Sequence, residues 1–362
     1  MKKTLVVLLI LAVVGGVFAQ EITPFGNVRL DFGATINMGN DNERPPEWAF
    51  GLSGDATNFG VRGGGDDAGG EVLIRMDGNL RANGWVNIGP VQLAIGNGEF
   101  FGDWNGFGYK GESSYGFGNS ALGGQNPWLK VSAAGLVVGF HEGGISGKFL
   151  ASSAEPKKMW KLNDQGRPDY SKNAYAPFPA FFVGYDYTIE DVASFGAMFA
   201  GQFVGERFED LPGAAKDKDG KFPLMFNVHG KLLMLDPVSI GLNLALFMAP
   251  THAPELFGPM QGNPVVKFGS GKSTVLETKV SASIPLEPCT VGIIGAFVTD
   301  LASKNDGGAS TGFKIGAGAD FSIGDTGFSI CPGLTYTNIL KIHGEDAKTA
   351  YFDLGVSLGY SF

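Results

Sequence analysis

The chain has 362 residues, 44% hydrophobic and 12% aromatic, with 57 glycines, only 17% charged residues and a net charge of −9. The acidic balance excludes nucleic-acid binding, which needs a basic face. Low charge with this much glycine is unlike an ordinary soluble enzyme.

The N-terminus reads as an export signal. Lys2 and Lys3 form a charged n-region, Thr4 to Val14 is almost wholly apolar, and Gly15, Gly16 and Val17-Phe18-Ala19 supply the small residues of a signal-peptidase site. The expected division is a cleaved signal peptide, residues 1–19, exported through the Sec pathway, and a single domain, residues 20–362. The apolar run is short for a membrane anchor of about 20 residues, and with no Cys beside the cleavage site a lipoprotein is not expected. Losing 19 residues, Lys2 and Lys3 among them, leaves 343 with a net charge of −11. No mature stretch is long enough to span as a helix. Sparse charge, abundant glycine and no helical span fit a transmembrane barrel, because only a helix or a closed barrel satisfies the backbone in lipid.

Alternating segments run the length of the chain. Val28, Leu30, Phe32, Ala34 and Ile36 oppose Arg29, Asp31, Gly33 and Thr35. A polar, Gly-rich connection over residues 39–70 follows. Val72, Ile74, Met76 and Leu80 oppose Arg75, Asp77, Asn79 and Arg81, with a hairpin-type turn expected at Ala82-Asn83-Gly84. Residues 85–96 change parity at Pro90, where a β-bulge would shift the phase. After a long connection at 97–125 come Leu129, Val131 and Ala133, a turn near Ala134-Gly135, and Leu136, Val138 and Phe140. Four paired runs follow, turning at Glu190-Asp191, Asp236-Pro237, Glu287-Pro288 and Gly324-Asp325. Phe352, Leu354, Val356, Leu358, Tyr360 and Phe362 then form one apolar row, opposite Asp353, Gly355, Ser357, Gly359 and Ser361.

The count is about fourteen strands, with short turns after even strands and long connections after odd ones. The last strand, with Tyr360 and the terminal Phe362 as its insertion signal, resembles the C-terminal signature of bacterial outer-membrane β-barrel proteins of the porin type. That resemblance implies an all-β, antiparallel up-and-down barrel with short periplasmic turns and long extracellular loops. It also implies insertion into the outer membrane of a diderm bacterium by the barrel-insertion machinery. A soluble β-sandwich would alternate too, but with shorter segments and a more charged outer face.

With the apolar rows toward lipid, the inward rows carry Arg29, Asp31, Arg75, Asp77, Arg81, Lys130, Asp186, His229, Lys231, Glu277, Lys279, Lys314, Asp320 and Asp353. They are the expected pore-lining residues, and their near-balance of sign predicts weak ion selectivity. Equally, they could pair across the barrel and only solvate it. The loop at 97–125 carries the constriction candidates Phe100, Phe101, Trp104 and Tyr109. Its aromatics also suit packing the loop down or lining the membrane interface, the reading the sequence favours.

Several motifs fail on spacing. Gly269-Ser270-Gly271-Lys272-Ser273-Thr274 lacks the first glycine of a P-loop, since Val266 stands there, and Thr274 opens a strand rather than a helix. Asp217-Lys218-Asp219-Gly220 and Asp66-Asp67 have no closing Glu for a calcium loop. His141, His229, His252 and His343 are scattered, so no metal site and no cofactor is expected. Cys289 falls on an outward row and Cys331 on an inward row of a non-adjacent strand, which predicts two thiols rather than a disulfide. No Ser/His or Asp/His set gathers at one rim, so no enzyme is expected.

The expected function is passive diffusion of small hydrophilic solutes or ions through a water-filled pore. One alternative is a channel for hydrophobic substrates like the fatty-acid transporters, although only a few residues precede the first strand and leave no N-terminal plug. Another is a surface adhesin or structural barrel with a plugged lumen. The expected partners are outer-membrane lipids, the insertion machinery and small solutes, and a homo-oligomer is compatible with the sequence.

Overall fold

The computed structural model describes residues 22–38, 47–53, 57–78, 80–97, 128–141, 180–201, 224–248, 255–257, 264–267, 274–301, 311–342 and 345–362. All its regular elements are strands. The first eight are β1 (Thr23–Asn37), β2 (Glu47–Leu52), β3 (Asn58–Gly64), β4 (Ala68–Arg75), β5 (Leu80–Ile88), β6 (Val91–Gly96), β7 (Trp128–Ala133) and β8 (Leu136–His141). Then come β9 (Ala180–Ile189), β10 (Ala193–Gly201), β11 (Leu224–Leu232) and β12 (Ser239–Met248). A separate hairpin, β13 (Glu255–Phe257) with β14 (Pro264–Lys267), precedes β15 (Thr274–Leu286), β16 (Cys289–Asp300), β17 (Thr311–Ser322), β18 (Phe328–Ile342) and β19 (Glu345–Ser361).

Seventeen of these strands form one antiparallel sheet, and β1 pairs with β19 from Asn27↔Ser361 to Asn37↔Tyr351, which closes it. Strands β2 and β3 share one place in the wall. Leu30 to Thr35 of β1 pairs with β2, and Thr23 to Asn27 pairs with β3. The barrel therefore has sixteen positions, not about fourteen.

Both extra strands hid in the first hundred residues. The supposed connection at 39–70 contains β2 and β3, whose glycines made them read as loop. The supposed single strand at 72–81 turns back at Met76, Asp77 and Gly78, where Gly78 takes φ +82 and its N–H donates to the Arg75 carbonyl at 3.0 Å. Ala82, Asn83 and Gly84 lie inside β5 rather than at a turn. Pro90 marks no bulge: Gly89 at φ +60 turns the chain, and Ile88 pairs with Val91 across a tight hairpin. From β7 onward the expected strands and turns match the structure, except that the hairpin β13–β14 lies where a connection was expected.

Short connections at 65–67, 89–90, 134–135, 190–192, 233–238, 287–288 and 323–327 lie at one rim, the turn rim, as do the start of β1 and the end of β19. The opposite edge is the loop rim. The expected long-after-odd rule has two exceptions there, since β4–β5 and β18–β19 are joined tightly.

The outer face is the apolar row of each strand. Phe32, Ile74, Ile95, Phe140, Tyr187, Val228, Ile293, Ile315 and Leu358 are all exposed. So broad an apolar surface cannot stand in water and belongs in lipid. At the seam, Gly26 and Phe362 exchange backbone hydrogen bonds of 3.0 and 3.1 Å. The Phe362 ring stacks on Phe59 at 6.4 Å and on Tyr360 at 5.9 Å. A Cβ at Gly26 would lie 2.5 Å from the Phe362 ring, so a larger residue there would push that ring aside. Phe362→Ala should therefore lower folding stability by roughly 1–2 kcal/mol through lost ring contacts. Gly26→Val should lower it further, as read from urea midpoints of the heat-modifiable gel shift.

Candidate functional site

Because side chains alternate, the closed sheet turns one polar row of every strand toward its interior. Of the residues expected there, Arg29, Asp31, Arg75, Arg81, Lys130, Asp186, His229, Lys231, Glu277, Lys279, Lys314, Asp320 and Asp353 fall on that inner row. Asp77 does not continue a strand; it sits in the turn after β4, where its carboxylate meets Arg75 at 3.0 Å. Phe100, Phe101, Trp104 and Tyr109 lie outside the described residues.

Four clusters knit the inner wall together. Near the seam, the Asp353 carboxylate accepts hydrogen bonds from Thr35 Oγ1 at 2.6 Å and Thr335 Oγ1 at 3.2 Å. Lys314, one strand beyond Thr335 and fully buried, attracts the same carboxylate. Closer to the turn rim, Arg29 Nε meets Asp31 Oδ1 at 2.7 Å, and Ser357 Oγ donates to the same oxygen at 2.7 Å. On β15, Lys279 and Glu277 approach to 3.4 Å with almost no solvent exposure. Unpaired, such charges would be costly to bury, and pairing offsets that cost.

The fourth cluster crosses an intervening strand. Asp186 on β9 and His229 on β11 meet at 3.0 Å over β10. Gly196 makes this possible, since a Cβ there would lie 2.6 Å from His229 Cε1 and would overlap the Asp186 carboxylate. His229 continues to Asn227 at 3.4 Å, and Asn227 Nδ2 donates to Asn243 Oδ1 at 2.9 Å. Elsewhere on the inner wall, Lys130 Nζ sits 5.3 Å above the Trp128 ring and Arg62 lies 5.7 Å from the Phe25 ring. Arg62 and Glu71 escaped sequence reading because their strands were read as a loop and as the far end of another strand.

The inner wall has two tiers. Toward the loop rim it carries Phe182, Met225, Val275, Val298 and Ile339, all at 0 or 1% exposure. Polarity alone could not reveal these as inward. Their sequence parity does, since each is in phase with a polar inner residue: Phe182 with Asp186, Met225 with Asn227, Val275 with Glu277.

Counting described inner-row charges, with Asp77 included, gives Arg29, Arg62, Arg75, Arg81, Lys130, Lys231, Lys279 and Lys314 against Asp31, Glu71, Asp77, Asp186, Glu277, Asp320 and Asp353, eight against seven. Among the described residues no three His, Cys, Asp or Glu side chains gather to hold a metal ion. Cys289 and Cys331 are both thiols, and Cys331 Sγ lies 3.4 Å from Asp320 Oδ1.

The chain resembles solved bacterial outer-membrane channels. It matches the outer membrane channel DcaP of Acinetobacter baumannii at 13% identity and TM-score 0.61, covering 95% of this chain and 97% of that one. The anion-selective porin from Comamonas acidovorans matches at 12% identity and TM-score 0.57, with 95% and 100% covered. OmpT of Vibrio cholerae, folded in vitro and in its trimer form, matches at 14% identity and TM-score 0.53, with 95% and 100% covered. No family model and no curated protein sequence matches the chain. The fold is that of the outer-membrane porins.

The Asp186–His229 bridge can be tested through Gly196. In Gly196→Val the branched side chain should part the two residues, losing about 1 kcal/mol of a half-exposed charged hydrogen bond. His229 should then react about fivefold faster with diethylpyrocarbonate, as read by peptide mass spectrometry.

Proposed function

We propose that this protein is an outer-membrane channel for passive diffusion of small hydrophilic solutes or ions. The observation that carries the reading is the closed ring of sixteen positions, apolar outside, with a charged and hydrogen-bonded inner row whose described residues carry eight cations and six anions, Asp77 adding a seventh from the turn after β4. At this strand number a barrel is wide enough to hold water. The inner charges set a weak field and no residue performs chemistry. The chain is exported with residues 1–19 removed and inserted through its β19 signal, Tyr360 and Phe362, by the barrel-insertion machinery. It sits among outer-membrane lipids with the turn rim toward the periplasm. A homo-oligomer accords with the trimer form named for OmpT of Vibrio cholerae.

The dry apolar tier at the loop rim supports a narrow passage rather than a wide one. It also favours, as a second reading, a channel for apolar substrates, because Phe182 and Met225 would contact a hydrocarbon moving inward.

Single-channel recording of refolded residues 20–362 in a planar bilayer tests the proposal. Expected are stable open steps and a reversal potential close to zero under a salt gradient. Lys130→Glu with Lys231→Glu should move that potential toward cation selectivity, and Phe182→Ala with Met225→Ala should enlarge the step. Folded, inserted protein that never conducts would reject the open pore. Conductance blocked by a medium-chain fatty acid but indifferent to sugars would favour the apolar reading.

A further inference from the structure

Two of the described tryptophans stand on the inner row, and the wall uses them differently. Trp128 is 7% exposed, and Lys130 Nζ lies 5.3 Å above its ring. Trp85 of β5 is only half-buried, in phase with Arg81 and so turned to the lumen. It stands three residues before Ile88, toward the turn rim.

The way the Trp85 ring is held makes it a flat surface. Across the ladder Trp85 pairs with Gly69 of β4 and Ala94 of β6. A Cβ at Gly69 would overlap Cζ2 of the indole and lie 2.7 and 2.8 Å from its neighbours Cη2 and Cε2. That is the position of a point over the ring. A point beyond the ring edge and as near to Cζ2 would be farther from both neighbours. One face of Trp85 therefore rests on the Gly69 backbone, and the other is turned to the interior. Ala94, a single methyl, does not reach over it.

Polar groups border the ring along its strand. Asn83 and Asn87 lie two residues to either side, on the same inner row. Asn83 Nδ2 donates to Glu71 Oε1 at 2.9 Å, and Gln92 Nε2 donates to Asn87 Oδ1 at 3.1 Å. Asn87 Nδ2 donates in turn to the Asp66 carbonyl. These bonds hold the side chains in place and use only part of their capacity. An amide has two N–H donors and an oxygen with two lone pairs, and a carboxylate has about four acceptor sites.

The charged groups around the ring have contacts of their own. Lys130 sits over Trp128, Arg62 lies beside Phe25 and opposite Glu71 across the ladder, and Glu71 holds Asn83. What remains at the open face is an apolar plane with amide edges. A small ion would gain little from the plane, and an alkyl chain would leave the amides without partners. A pyranose matches both. Its ring presents C–H groups on one face, and its rim carries hydroxyls that donate and accept as amides do.

We propose that Trp85 is the stacking platform of a sugar-binding site on the inner wall, where Asn83, Asn87, Gln92 and Glu71 hydrogen-bond to the hydroxyls of a neutral pyranose. The site rests on the channel reading for its role, as a place where a sugar pauses in transit. Binding itself needs only the folded barrel.

Binding is therefore read without conduction. Refolded residues 20–362 in detergent are titrated with cellobiose, and with sorbitol as an open-chain polyol that has no ring face. Trp85 emission, taken by difference from Trp85→Phe, should change saturably with cellobiose and stay constant with sorbitol. In ligand-observed NMR titrations Trp85→Ala should weaken cellobiose binding about tenfold, and Trp85→Phe, which keeps a flat ring, should weaken it less. Asn87→Ala with Gln92→Ala should weaken it about fivefold. The heat-modifiable gel shift confirms that each variant is folded. No saturable response to cellobiose, an equal response to sorbitol, or undiminished affinity in folded Trp85→Ala would overturn the proposal. A barrel that binds cellobiose through Trp85 but never conducts would uphold the site and reject the pore. Open steps without sugar binding would uphold the pore and reject the site.

Discussion

The structure depends on one constraint: hydrocarbon cannot hydrogen-bond to a peptide group. A sheet placed in lipid must therefore return to its own first strand, and β1 does meet β19 over eleven paired residues. At that seam Gly26 leaves the Phe362 ring the space where a Cβ would stand.

Closure also separates two chemistries by a single step along the chain. Outward residues meet lipid and need only be apolar, so they tolerate wide variation in shape. Inward residues are charged, and each charge has to be satisfied in a crowded wall. The solutions are specific: two threonines and a lysine around Asp353, a serine and an arginine on Asp31, a glycine gap that lets Asp186 reach His229. Most inner charges thus already have partners in the wall.

The alternation of β7 to β12 and of β15 to β19 was readable from the sequence because lipid and lumen impose opposite preferences on successive residues. The same alternation puts thirteen of the fourteen charged residues named from the sequence on the inner row, with Asp77 in a turn. Three things were not readable. A tight turn preserves parity, so β4 and β5 looked like one strand and Pro90 looked like a bulge. Lumen-facing glycines in β2 and β3 resemble loop composition, which hid Arg62 and the second barrel position. The contacts that organise the inner wall join residues as far apart as Thr35 and Asp353, and pairing register across a barrel is not written in local sequence. Phe182 and Met225 broke the polar-inward rule, since both are apolar and fully buried on the inner row near the loop rim.

The account stands or falls on β19 having one face in lipid and one in water. Single cysteines placed from Phe352 to Ser361, in a Cys289→Ser, Cys331→Ser background reconstituted in liposomes, test this directly. A membrane-impermeant maleimide should label positions 355, 359 and 361, the inner-row positions of β19 that are not buried in the wall. A fluorophore at 352, 354, 356, 358 and 360 should instead be quenched by spin-labelled acyl chains. Equal labelling of both sets, or lipid contact at both, would contradict a closed barrel with a watered interior.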